Sequence, residues 1–258
     1  MRFLFSIPAG SLALTILVLG ASYPSTAQQR DSTLSLRTVL SVTQNGFSLI
    51  PSFSLGKPAV FFEPVVAARR MSFEPLFRFS LEGKPWSLIF IYRYKIVDRN
   101  RFQLQLGGHI PALIFFTQSV VRNGVTEDVI VSQRYLAGEL LPNYDISRNF
   151  SVGAHVLRGH GFDSWGTQDT FFSGLRVTLT NVNLSKRVFL KFTPMVYYLK
   201  ADDDVGYYLT NTLVLAMRDF PLSVSNIVNK AIDTEIPGKD FDWTVSLVYT
   251  FDRTYVTR

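Results

Sequence analysis

An all-β fold, a transmembrane up-and-down antiparallel β-barrel of about twelve strands (range ten to fourteen), is what this sequence predicts, and three observations carry it. Apolar and polar residues alternate with period two over segments of about ten residues, the length a tilted strand needs to cross hydrocarbon; soluble strands more often run to about five or six. Aromatic residues gather near segment ends, as in WTVSLVYTF from Trp243 to Phe251, where interfacial girdles lie in membrane barrels. Most apolar faces carry no charge across their middle, where Arg or Lys facing lipid costs about 2–4 kcal/mol. An open sheet in lipid would leave unpaired backbone groups at its edges, so the sheet must close. The rival fold, a soluble β-sandwich or lipocalin-like barrel, would bury the same faces against protein.

The elements follow in chain order. Leu34, Leu36, Thr38, Leu40 and Val42 form the first face, ended by Asn45-Gly46, a tight-turn pair. Phe47, Leu49, Pro51, Phe53 and Leu55 form a second, ended by Gly56-Lys57-Pro58. Val60 to Val66 makes a third; Phe73 to Leu81 makes a fourth, ended by Gly83-Lys84-Pro85; Trp86 to Tyr94 makes a fifth. Later strands begin near Phe102, Val129, Phe150, Phe171, Val188, Tyr207 and Trp243. FSLGKP (Phe53 to Pro58) recurs as FSLEGKP (Phe79 to Pro85), which predicts both Gly-Lys-Pro turns at one end of the sheet. Alternation lapses over 218–240, which reads as a long loop or plug with helical capacity from Ser225 to Ile236. Pro51, Pro64, Pro75 and Pro194 weaken their strands, because proline cannot donate to a ladder.

Residues 1–27 read as a secretory signal peptide: Arg2, an apolar run from Leu12 to Leu19, and the small residues Ser25-Thr26-Ala27 before Gln28. Residues 28–258 are then the barrel domain, exported to the outer membrane with both termini periplasmic. The 258 residues contain no cysteine, so stability must come from packing and closure rather than disulfides. Net charge is +6, one less without Arg2, and its cations are scattered, which excludes a nucleic-acid partner.

The charges that fall between apolar positions are the informative set. Arg37, Glu63, Glu74, Arg78, Arg93, Lys95, Arg176 and Lys191 are expected to face the lumen, six basic to two acidic. Trp86, Tyr94, Tyr198, Tyr207, Trp243 and Phe251 are expected at the membrane interfaces. His160 in RGHGFDSWG, with Asp163 and Ser164 nearby, and His155 are candidates for a hydrolase, but a solvated loop histidine is the better reading of the motif. Asp202-Asp203-Asp204 reads as a solvated turn, since three consecutive side chains do not converge on one ion. Catalytic residues, metal sites and cofactors are therefore expected to be none.

The Phe-rich FSLIPSFSLGKP, the late WTVSLVYTF, the export signal and the dozen alternating strands resemble small, uncharacterised, porin-like outer-membrane β-barrels of Gram-negative bacteria, of the Bacteroidetes type. The resemblance implies outer-membrane lipid as the surroundings and insertion by the barrel-assembly machinery through the last strand, although that strand runs past Phe251 to Arg258. Three functions are expected in turn: a passive channel for small anionic solutes, a closed structural or interaction barrel, and a membrane-embedded lipid hydrolase.

Overall fold

The computed structural model describes residues 32–122 and 124–257; the expected signal peptide at 1–27 lies outside them. Twelve strands form one closed antiparallel sheet in which each strand pairs with its sequence neighbours and the last pairs with the first. They are β1 Ser32–Thr43, β2 Ala59–Ala68, β3 Met71–Ser80, β4 Pro85–Asp98, β5 Phe102–Arg122, β6 Val125–Ser147, β7 Phe150–Gly161, β8 Asp169–Asn183, β9 Val188–Ala201, β10 Asp204–Met217, β11 Leu222–Thr234 and β12 Phe241–Thr257. The seam runs from Ser32↔Thr257 to Thr43↔Ser246. With an even strand number, the start of β1 and the finish of β12 share one end, the termini end. Connections there are short (69–70, 99–101, 148–149, 184–187, 218–221), whereas the far end carries 44–58, 162–168 and 235–240. Both Gly-Lys-Pro turns lie at the far end.

Two sequence expectations are corrected, and they offset one another. Phe47 to Leu55 is not a strand: it is the middle of the β1–β2 loop and holds a single 3-10 turn at Pro51–Phe53. Pro51 supplies no N–H for a ladder and starts that turn instead. Ser54 Oγ accepts from Ser48 N at 3.0 Å, and Leu55 N donates to Gly46 O at 2.8 Å, so the segment closes on itself. Gly56, at φ 69°, completes the loop. Conversely, 218–240 is neither helix nor plug. Its centre is β11, hydrogen-bonded to β10 from Gly206↔Thr234 to Ala216↔Ser223.

Prolines act locally. Pro64 on β2 and Pro75 on β3 fall in the one stretch where the β2–β3 register is interrupted, between Phe62↔Phe77 and Val66↔Phe73, as expected where an N–H is missing. The long segment from Phe102 continues as one strand with an irregularity between His109 and Ala112. The β5–β6 hairpin overshoots the barrel. β4 pairs with β5 only up to Ile114 and β7 with β6 only from Tyr135, so residues 115–122 and 125–132 pair with each other alone.

The two faces of the sheet differ chemically. The outer face presents Leu40, Val42, Leu175, Val196, Leu209, Ile232 and Leu247, all exposed. Soluble monomers rarely show apolar patches beyond a few hundred Å²; a face that is apolar all round belongs in lipid. Its aromatics lie toward the two ends, with Tyr198, Tyr207, Phe241 and Trp243 near the far end and Tyr92, Tyr94, Tyr144 and Tyr249 toward the other. The buried residues, among them Ala59, Ile91, Phe172, Tyr197, Leu199 and Tyr208, stand on the inner face.

Candidate functional site

A barrel of eight strands is filled by its own side chains, and one of sixteen or more leaves an aqueous channel. Twelve strands lie between these cases, so strand number alone does not decide what fills the lumen. The β1–β2 loop supplies the rest. Trp86 Nε1 on β4 donates to Phe53 O at 2.8 Å, and Tyr197 Oη on β9 donates to Leu49 O at 3.1 Å. The Phe53 and Tyr135 rings, from the loop and β6, lie 5.0 Å apart. Leu49 and Ile50 pack against the buried group formed by Phe172, Tyr197, Leu199, Tyr208, Ala231 and Ile236. Strands on opposite sides of the ring thus hold one segment, which places it inside the far half of the lumen. Gly238, in the β11–β12 loop, lets that loop meet the plug: a Cβ there would fall 2.8 Å from Pro51 Cβ.

Trp86 is therefore not a membrane-interface residue. The register shifts between Arg78 and Phe79, and Phe79 pairs with Pro85 while Arg78 pairs with Ser87. That bulge turns Trp86 inward, where it is 2% exposed, 5.5 Å from the Phe61 ring and under the Arg78 guanidinium. Tyr94, Tyr198, Tyr207, Trp243 and Phe251 stand at outward positions; the Tyr198 and Tyr207 rings lie 5.2 Å apart.

Below the plug, toward the termini end, lies an ionic layer. Arg78 pairs with Glu63 at 2.7 Å. Arg93 bridges two carboxylates, Glu74 and Glu139, its Nε standing 2.5 Å from Glu139 Oε1. Glu139 is the centre of the layer: its side chain is fully buried, His155 Nε2 lies 2.9 Å from Oε2, and His109 Nε2 lies 3.4 Å from the same oxygen. A glycine makes this possible. Gly107 sits between Arg93 and Glu139 across the sheet, and a Cβ there would come within 2.5 Å of Glu139 Oε1. The sequence reading missed Glu139 and gave His109 no role. In YLAGELL the exposed Leu136 and Leu140 mark the outward positions, which turns Glu139 inward; that alternation was the available signal.

The remaining cations have no such partners. Arg176 (β8), Lys191 (β9) and Arg37 (β1) stand at inner-face positions, and among the described residues none forms an ion pair. Arg176 Nε is buried without a hydrogen-bond partner. Arg176 and Lys191 lie on the adjacent strands β8 and β9, four positions apart in register, and Arg37 stands opposite Asp252 on β12. Lys95, beside Asp98 at 3.4 Å, lines a vestibule of about 360 Å³ at the termini end, with Arg69, Arg70 and Gln105.

The loop chemistry weighed from sequence is dispersed. His160 is exposed and meets Asp169 at 3.3 Å, while Asp163 is held by Arg134 at 2.7 Å. Among the described residues no serine hydroxyl hydrogen-bonds to His109, His155 or His160. Asp202 sits in the β9–β10 turn at φ 52° and accepts from Gln168 N and Asp169 N, both at 2.8 Å.

No family model matches the chain, and no curated protein matches it. Among solved structures it is similar to the KdgM porin in complex with disordered oligogalacturonate, with TM-score 0.51 and 9% identity over 84% of this chain and 99% of that one. It is also similar to LpxR from Salmonella typhimurium (TM-score 0.47, 11% identity, 84% and 99% covered) and to the COG4313 outer membrane channel from Pseudomonas putida F1 (TM-score 0.44, 9% identity, 87% and 95% covered). At such identities the first likeness is one of fold.

Proposed function

We propose that this chain is a porin-like channel for small anionic solutes in the outer membrane of a Gram-negative bacterium of the Bacteroidetes type, narrowed by its own β1–β2 loop. In this reading the 1–27 segment directs export, and the barrel-assembly machinery inserts the barrel through β12. The observation that carries it is the imbalance of the lumen. Glu63, Glu74 and Glu139 are each tied to a cation, whereas among the described residues Arg176 and Lys191 form no ion pair, nor does Arg37, which stands opposite Asp252 across the seam. Fixed positive charge in a narrow aqueous path concentrates anions. Chemistry of this kind would suit an acidic saccharide such as the oligogalacturonate of the KdgM porin complex. The test is a reversal potential across a planar bilayer holding the purified barrel under a potassium chloride gradient. Chloride preference is expected, weakened in an Arg37→Gln/Arg176→Gln/Lys191→Gln variant. Cation preference in the unaltered protein would overturn the proposal.

The packing of the plug favours a second reading, a closed barrel whose far-end loops contact a partner. Leu49, Ile50 and Phe53 are held by apolar contact as well as by hydrogen bonds. Silence in the bilayer, both with the loop and with it removed, would select this reading.

A further inference from the structure

The short connections at the termini end share a charge that the far end lacks. Each of the five carries one or two cations: Arg69-Arg70, Arg99 and Arg101, Arg148, Lys186-Arg187, and Arg218. Against these eight stands one carboxylate, Asp219, so the five connections sum to +7. The six connections of the far end hold three cations and six carboxylates, a sum of −3. All eight cations of the termini end are exposed, and among the described residues none forms an ion pair. Carboxylates on the flanking strand ends are engaged. Asp98 lies 3.4 Å from Lys95, and Asp145 Oδ1 accepts from Asn143 Nδ2 at 2.9 Å. Like charges gathered on one rim repel one another, and an anionic surface against that rim would offset the repulsion.

Register fixes the depth of this rim. Tyr94, Tyr144 and Tyr249 are exposed outward aromatics of the termini end, at the level where such side chains meet lipid head groups. Tyr94 pairs with Met71, Tyr144 with Phe102 and Tyr249 with Leu222. Arg70 and Arg101 therefore come one residue beyond that level, and Arg218 four residues beyond it. Two of the turns are tied together, since Arg218 N donates to Arg187 O at 2.8 Å. Leu184 and Phe220, in those same two turns, are exposed. Apolar side chains among unpaired cations suit a lipid surface better than a dissolved polyanion.

We infer that the termini end of the barrel gathers anionic phospholipid around it, the ring of basic turns preferring head groups of net negative charge to zwitterionic ones. A cation near an anionic lipid surface contributes about a fivefold preference, and salt screens it. On the outer-membrane reading above, with both termini periplasmic, the leaflet is the periplasmic one. The charge preference itself rests on neither that reading nor conduction.

The test is quenching of single tryptophans by brominated phosphatidylglycerol or brominated phosphatidylcholine in mixed vesicles. Tyr144→Trp, with Trp86, Trp165 and Trp243 replaced by Phe, reports the termini end. Trp243, with only Trp86 and Trp165 replaced, reports the far end. At equal mole fraction the phosphatidylglycerol is expected to quench the termini-end reporter several-fold more effectively, with no such preference at Trp243. Adding Arg99→Gln/Arg101→Gln/Arg148→Gln, which clears the two turns beside Tyr144, should bring the two lipids level. Heat-modifiable gel mobility shows that each variant is folded. In the unaltered barrel, spin-labelled phosphatidylglycerol should be immobilised at the protein more than its phosphatidylcholine analogue, and high salt should reduce the difference. Equal quenching by the two lipids at the termini end, the same preference at both ends, an unchanged preference in the arginine variant, or a spin-label preference indifferent to salt would each overturn the proposal.

Discussion

Glu139 shows how much of this interior depends on single atoms. Its carboxylate is fully buried and faces Arg93, His155 and His109 at once. Removing one member of a buried charge group leaves the others uncompensated, at a cost of about 3–5 kcal/mol. Glu139→Ala should therefore lower the urea midpoint of the heat-modifiable folded band by a corresponding amount. Gly107→Val should show the same direction, because its side chain occupies the position of Glu139 Oε1. Outside the membrane-spanning wall, Asp163 ties the 162–168 loop to the β5–β6 hairpin. The Arg134 side chain and backbone N–H hold its carboxyl below the usual aspartate range. A depressed folded pKa means that the tie stabilises above the unfolded value, about 3.9, and is lost as pH falls through the lower folded value. Trp165, in the same loop and 5.7 Å from the Phe116 ring, reports on it. Its fluorescence, with Trp86 and Trp243 replaced by Phe, should be flat from about pH 7 to 5 and change only below about 4. Asp163→Asn should remove that transition.

At the scale of elements, the β1–β2 loop matters most. Its contacts inside the ring combine two hydrogen bonds from wall side chains with apolar packing of Leu49, Ile50 and Phe53. Replacing Phe47 to Leu55 by a short Gly-Ser link should leave the ladder intact, because none of these residues pairs in it. It should also raise single-channel conductance severalfold; unchanged conductance would show that the plug does not limit passage. The loop was legible as an apolar segment but not as a plug. Its alternation is that of a strand, and only the self-closing hydrogen bonds of Gly46, Ser48 and Ser54 distinguish the two. β11 shows the reverse. Its outward positions include Asn226 and Lys230 and its inward positions include Ile227 and Ala231, so neither face reads as uniformly apolar. Asn226 Nδ2 donates to Thr244 O and the Asn229 side-chain amide lies 3.0 Å from Tyr197 Oη, and these contacts let polar residues occupy both sides of the strand.

For the whole molecule, the period-two pattern was enough to predict a closed ring, because lipid permits no open sheet edge. The strand total of twelve agreed although one strand was misplaced: Phe47 to Leu55 took the number that belongs to Leu222–Thr234. That exchange also explains why counting strands from the sequence puts the long connections read at 158–170 and 218–240 at opposite ends, whereas the loops found there, 162–168 and 235–240, both lie at the far end. The ionic layer was half visible. Glu63, Glu74, Arg78 and Arg93 lie on short, clearly alternating strands. Glu139 and His155 lie beyond the reach of that pattern, in strands whose starts were placed but whose inward positions were not followed.

The overshooting β5–β6 hairpin gives the molecule a handle. Its eight free residues on β5 extend about 27 Å at 3.4 Å per residue, beside a rim that otherwise carries only compact loops. A bare cylinder looks alike from every azimuth in projection. This one does not: a single finger on one side marks both its rotation and which way up it stands, so electron micrographs of the isolated particle can be oriented without a bound antibody fragment.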